Sequence, residues 1–184
     1  MKKIVITGGT FAGKTTLIEA FAREGYQTIP EAAMQIINET TEKMGMKAMK
    51  KWRRGYIGEF QSLIANRVLK LESEIQNGKD NLIFCDRGLH DSLGYLKLVN
   101  AEVPEVIKPL FSRHKYDLVF LCDVIKNFDI RSNTGRMENY KSSYRVGELI
   151  GESYKKYGHK VIRVKEMTVA SRIKFIKKYL DLLK

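Results

Sequence analysis

The sequence predicts an α/β fold in which a mostly parallel, five-stranded sheet is covered by helices on both faces. Five short apolar runs, at residues 2–7, 26–29, 82–85, 117–122 and 159–164, alternate with stretches of helical spacing. Strands buried on both faces read as continuous apolar runs, and alternation with helices is the mark of a parallel sheet. The first run ends in a glycine-rich turn that opens a helix, which places a ligand-binding loop at the carboxyl edge of the sheet.

The elements follow in order. Residues 2–7 form a β-branched strand that enters Gly8-Gly9. Residues 14–23 carry Leu17, Ile18 and Phe21 at helical spacing, and Gly25 closes that helix. A strand at 26–29 stops at Pro30, and a helix covers 31–38. Residues 40–58 are dense in Lys, Arg, Met and Gly around Trp52, and are the least regular part of the first half. An amphipathic helix at 59–76 presents Leu63, Ile64, Val68, Leu71 and Ile75 on one stripe. After the strand at 82–85 come short helices at 91–99 and 105–111. A fully apolar strand at 117–122 precedes a polar, arginine-bearing segment at 127–139. A helix at 140–157, a strand at 159–164 and a helix at 169–183 complete the pattern, without internal repeats.

Length and composition fit a single domain over residues 1–184. Hydrophobic residues make up 43% and charged residues 29%, as in a soluble protein, and no apolar run approaches the roughly 20 residues that span a bilayer. No membrane association is expected. The apolar stretch after Lys2 and Lys3 is too short for a signal peptide. Cys85 and Cys122 both lie inside apolar runs, so buried thiols are expected and a cytoplasmic location follows. The net charge of +12 attracts polyanions, or reflects a lysine-rich solvated surface.

Residues 8–15, Gly-Gly-Thr-Phe-Ala-Gly-Lys-Thr, satisfy the pattern G-x-x-x-x-G-K-[ST] between a strand and a helix. The glycines let the backbone close around a phosphate, and successive N–H groups and the helix N-terminus point at the anion. Gly8, Gly9, Thr10, Phe11, Ala12, Gly13, Lys14, Thr15 and Thr16 are therefore the expected nucleotide-binding residues. Lys14 is placed to bridge the β- and γ-phosphates of ATP or GTP, and the Thr15 hydroxyl to ligate Mg²⁺.

The pieces TGGTFAGKTTLIEAFAREGY, IPEAAMQII, FCDRGLHDSLGY, YDLVFLCD and SYKKYGHKVIRV run through nearly the whole chain. In them the sequence resembles the small AAA-domain ATPase/kinase family of P-loop NTPases, which is similar to nucleoside kinases and the ribosylnicotinamide kinase domain. The resemblance implies a nucleoside/nucleotide-kinase-like three-layer sandwich with strand order 2-3-1-4-5. The segment from Lys43 to Arg54 is more basic than that pattern, so the acceptor side is expected to differ.

Four segments just past strand ends supply the remaining candidates. Asp86, followed by Arg87, could hold Mg²⁺ or accept a proton from an attacking hydroxyl; the alternative is an ion pair or a helix cap. By resemblance to nucleoside kinases, Glu31 is the general base toward an acceptor hydroxyl, and by resemblance to nucleoside and thymidylate kinases Arg87 grips phosphate or fixes the neighbouring carboxylate; a first-turn glutamate facing the helix dipole is the other reading of Glu31. Asp91 either caps a helix or touches substrate. Arg131 and Arg136 flank a polar turn where related kinases carry a lid, near 126–140, with one arginine on the nucleotide and another on the charge developed in transfer; solvated surface arginines are the alternative. Asp123 could orient that lid or a Mg²⁺-bound water. The basic stretch with Lys43, Lys47, Lys50, Lys51, Trp52, Arg53 and Arg54, within 40–58, suits an anionic acceptor or a nucleic acid stacked on Trp52; a Trp packed in the core fits equally. His90, His114 and His159 show no ligand spacing and are expected in surface or packing roles.

Three activities fit these residues. The first is phosphoryl transfer from Mg·ATP to a small acceptor, a nucleoside, nucleotide or cofactor. The second is an NTPase that drives a partner or a switch, which lacks support from the tandem acidic pair that motor ATPases place at a strand end. The third is nucleic-acid binding or modification through the positive field.

Overall fold

A computed structural model describes residues 1–75, 81–126 and 139–181. Five strands, β1 (Lys2–Gly8), β2 (Gln27–Ile29), β3 (Leu82–Asp86), β4 (Leu118–Cys122) and β5 (Val161–Val164), form one all-parallel sheet in the order β2-β3-β1-β4-β5. Among the described residues there are eight helices: α1 (Lys14–Arg23), α2 (Ala32–Met44), α3 (Met46–Gly55), α4 (Ile57–Ser73), α5 (Asp91–Leu98), α6 (Lys108–Arg113), α7 (Tyr140–Lys156) and α8 (Val169–Leu180). The α/β class and the 2-3-1-4-5 order expected from the sequence are both present.

Strand periodicity decides which layer each residue joins, because successive side chains leave opposite faces. Val5, Ile83, Cys85, Val119 and Leu121 face a core completed by α2, α3, α4, α5 and α7. Ile4, Ile6, Leu82, Phe84, Phe120 and Cys122 face the other, completed by α1 and α8. There Phe21 of α1 stacks on Phe84 of β3, with ring centroids 4.0 Å apart and planes within 6°. The two free cysteines therefore sit on opposite sides of the sheet, both buried. No described helix is long and apolar enough to cross a membrane.

The largest departure from the sequence reading lies at 40–58, which is helical rather than irregular. α2 continues to Met44, breaks only at Gly45 (φ 81°), and α3 begins at once. Lys, Arg, Met and Ala are all good helix formers, and the lysines conceal an inward face built from Met46, Met49, Trp52 and Arg53. The short helix expected at 105–111 starts later, at Lys108, with Pro109 in its first turn.

A buried carboxylate pins the amino edge of the sheet to α4. Glu72 receives hydrogen bonds from Lys3, from His114 Nε2 (2.8 Å) and from the Tyr116 hydroxyl (2.7 Å). Burial alone would raise its pKa, but those bonds hold the carboxyl below its usual range. Beside it, the histidines pack as expected. His90 is fully buried in an aromatic box with Phe111, Tyr116, Tyr154 and Tyr157, and its ring centroid lies 4.5 Å from that of His159.

Burial pushes the His90 pKa down to about 3; the hydrogen bond to Phe111 O opposes the shift, and the charges of His159, His114 and Lys115 add to it. The folded pKa is below the unfolded value of 6.5, so the neutral ring's contribution to stability is complete above pH 6.5 and is lost as pH falls toward 3. Urea unfolding between pH 7 and 4 should show this decline, and His90→Phe should make it shallower.

Candidate active site

The carboxyl ends of β1, β2, β3 and β4 bring the candidate residues to one edge. Gly8 adopts φ 139° and pairs with Cys122 of β4; a Cβ there would lie 2.3 Å from the Cys122 carbonyl oxygen. Gly9 is pressed against α7, where a Cβ would stand 2.0 Å from Ser143 O. Only glycine fits either position. Phe11 (φ 63°) and Gly13 (φ 69°) turn the loop left-handed before α1, and Lys14 Nζ donates to Gly9 O at 2.9 Å across it. The loop is thus held as a cradle in which Lys14 is buried while Thr15 and Thr16 stay exposed.

Asp86 ends β3 opposite Ile6 of β1 and accepts a hydrogen bond from Thr15 Oγ1 at 2.9 Å through Oδ2. Its Oδ1 is buried without a hydrogen-bond partner. Burial raises the Asp86 pKa, opposed by the positive charge of Lys14 and reinforced by Glu31. A hydroxyl and an unsatisfied carboxylate oxygen beside a phosphate cradle are the hard donors that Mg²⁺ takes, usually with waters and phosphate oxygens completing its shell. The residues fit the ion. Among the described residues no cluster of three His, Cys, Asp or Glu side chains forms a dedicated metal cage.

Arg87 is the centre of the arrangement. It has φ 70°, unusual for a side chain with a Cβ, while its N–H still bonds Ile6 O and extends the sheet ladder. The guanidinium donates to Glu31 Oε1 (3.1 Å), Gly8 O (2.9 Å) and Asp91 Oδ2 (2.8 Å), and lies 5.5 Å from the Tyr95 ring centroid. Burial disfavours the charge, yet Tyr95, Glu31 and Asp91 together push the arginine pKa up. Asp91 also accepts from Thr7 Oγ1 (2.6 Å) and the Tyr154 hydroxyl (2.8 Å). The oxygens of Asp91 are thus engaged in an internal network, and the residue also lines the pocket beside it.

Beside this network lies a narrow, partly enclosed pocket. Met34, Ile37, Phe60, Ile64, Val68 and Tyr95 give it apolar walls. Glu31, Arg87 and Thr10 form its end nearest the phosphate loop, and Arg53, Gln61 and Ser92 add polar groups elsewhere. Thr10 Oγ1, Gln61 Oε1, Arg87 Nη2 and Ser92 Oγ are all buried without hydrogen-bond partners. Each such group costs roughly 1–3 kcal/mol when left so, and their convergence on one cavity marks a ligand site.

The basic segment divides in two. Trp52 packs edge-on against Phe60, with ring centroids 5.9 Å apart, and Arg53 turns into the pocket over the same ring. Lys43, Lys47, Lys51 and Arg54 stay on the exposed face. Trp52 is thereby a partly buried residue packed against the core. Asp123 pairs with Arg163 at 2.6 Å. Arg131 and Arg136 lie outside the described residues. The sequence reading did not single out Gln61, nor Ser92 and Tyr95 within the piece FCDRGLHDSLGY, nor Arg172 of α8, which reaches the phosphate loop across 160 residues of chain.

A family model described as an AAA domain matches residues 3–172. The chain belongs to that family. No curated protein sequence matches it. Among solved structures, a deoxyadenosine kinase from M. mycoides with bound dATP superposes with a TM-score of 0.70 at 18% identity, covering 98% of this chain and 100% of that one. The same enzyme with bound dCTP gives 0.67 at 20% identity, covering 97% and 98%. A thymidylate kinase from Ehrlichia chaffeensis gives 0.64 at 16% identity, covering 97% and 98%. At these identities the shared property is the fold, that of P-loop nucleoside and nucleotide kinases.

Replacing Asp91 by Ala should leave Arg87, Thr7 and Tyr154 unsatisfied in the interior. The expected loss in chemical denaturation is on the order of 3–5 kcal/mol, typical of breaking a buried ion pair from one side.

Proposed function

We propose that this chain is a kinase that transfers the γ-phosphoryl group of ATP, with GTP as the alternative donor, to a hydroxyl of a small, nucleoside-like acceptor. The observation that carries the reading is that one pocket is lined at one end by Thr10 of the phosphate loop and by the Glu31–Arg87 pair, with apolar walls and unsatisfied polar groups beyond. An acceptor with a flat, partly apolar body and several hydrogen-bonding edges suits those walls. The kinase-like fold agrees with it.

In this mechanism residues 8–16 hold the triphosphate, with Lys14 on its β- and γ-oxygens. Thr15 and Asp86 would hold Mg²⁺, which would supply positive charge to the phosphates. Glu31 takes the proton from the acceptor hydroxyl as its oxygen attacks, while Arg87 fixes that carboxylate and keeps Nη2 for an acceptor or phosphate oxygen. Residues 126–140 serve as the lid, with Arg131 and Arg136 meeting charge that develops in transfer, and residues 40–58 form the acceptor side. Two buried thiols accord with a reducing, cytoplasmic setting.

Glu31→Gln should lower acceptor phosphorylation by ~10²-fold or more while retaining Mg·ATP binding. The assay is ADP release across a panel of nucleosides, nucleotides and cofactors. Brisk hydrolysis that needs no acceptor and is indifferent to Glu31→Gln would establish an NTPase instead.

Arg131→Ala and Arg136→Ala should each reduce kcat more than they weaken ADP binding, because a lid cation acts on the transition state. Full activity in both variants would remove the segment from the mechanism.

A further inference from the structure

Arg172, on the first turn of α8, is 2% exposed and among the largest fully buried side chains. Its Nη1 donates to Ala12 O of the phosphate loop at 2.6 Å, and Nη2 lies 3.5 Å from Asp123 O just past β4. It also abuts Gly13: a Cβ added there would sit 3.4 Å from Nη1. A second bond, from Ile125 N–H to Phe11 O (3.2 Å), joins the same two segments.

The guanidinium is short of partners for such a buried position. Among the described residues, every polar contact it makes is with a backbone carbonyl, and Nε has no acceptor. The nearby Asp123 carboxylate is taken by Arg163. A buried cation without a counter-ion costs several kcal/mol by itself. The charge does reach the phosphate side of the sheet: burial pushes the Cys122 thiol up to about 11, and the two main opposing influences are Arg172 and Lys14. The two cations act on one region from opposite ends of the chain.

We infer that Arg172 is a second cation of the nucleotide site, held against the inner side of the phosphate loop with the bound polyphosphate as its counter-ion. The inference rests on the nucleotide reading of that loop. Arg172 is a positioning residue: it sets the Ala12 carbonyl, and with it the direction of the neighbouring N–H groups, while its charge favours a polyanion at the loop's mouth. A structural brace would stabilise the empty protein. A cation kept for the ligand stabilises mainly the complex.

The experiment compares wild type with Arg172→Gln, which keeps a donor for Ala12 O without the charge, Arg172→Lys, which keeps the charge without the fork, and Lys14→Ala. Calorimetric titration with Mg·ADP and Mg·ATP is paired with the Tm of the ligand-free protein. Arg172→Gln should melt within a few degrees of wild type or above it, and bind both nucleotides about tenfold more weakly. Arg172→Lys should recover most of that loss. A large fall in ligand-free Tm with affinity within twofold of wild type would make Arg172 a brace and overturn the inference. So would an Arg172→Gln protein that does not fold without ligand. If wild type and Lys14→Ala alike bind neither nucleotide, the reading of the loop itself fails, and the role of Arg172 fails with it.

Discussion

The site depends on one buried guanidinium. Arg87 leaves β3 in a left-handed conformation and from there bonds the end of β1 through Gly8 O, the start of α2 through Glu31 and the first turn of α5 through Asp91. Asp91 passes the linkage to β1 through Thr7 and to α7 through Tyr154. Five elements are thus located by a single charge network. A buried arginine is tolerated because two carboxylates and a carbonyl surround it, and its planar fork serves them all at once. The left-handed backbone at Arg87 lets one side chain face the phosphate loop and the neighbouring pocket together.

This arrangement gives the acidic residues different surroundings. Asp86 accepts from Thr15, Asp91 accepts from Arg87, Thr7 and Tyr154, and Glu31 pairs with Arg87. Three carboxylates near one arginine meet three different sets of atoms.

The fold was legible because its signals are local. Strand runs, the glycine turn and the amphipathic stripe of α4 each follow from a few neighbouring residues, and the sheet order came with the resemblance. The phosphate loop, Asp86 and Arg87 could be singled out as candidates for the same reason, as each lies at or directly beyond a strand end. The helix α3 was hidden because its lysines outnumber its inward residues, although Met46, Met49 and Arg53 carry the spacing. Gln61 and Arg172 lie outside any motif, and Ser92 and Tyr95, though within FCDRGLHDSLGY, have no local feature that marks them as lining a pocket. Each occupies an ordinary helical position, and only the packing of α4, α5 and α8 against the strand ends gives it a role. The nature of Asp91 was open for a related cause: its partners Thr7 and Tyr154 lie 84 and 63 residues away.

The placement of the two thiols has a use of its own. Cys85 belongs to the layer that contains the acceptor pocket, and Cys122 to the layer under the phosphate loop and α8. Both are sealed in the closed molecule, so a small alkylating reagent reaches either one only through an opening of its own layer. The chain therefore carries two native clocks, one on each side of its sheet. Their labelling rates, followed as each ligand is added, distinguish a molecule that loosens as a whole from one in which the two halves breathe separately.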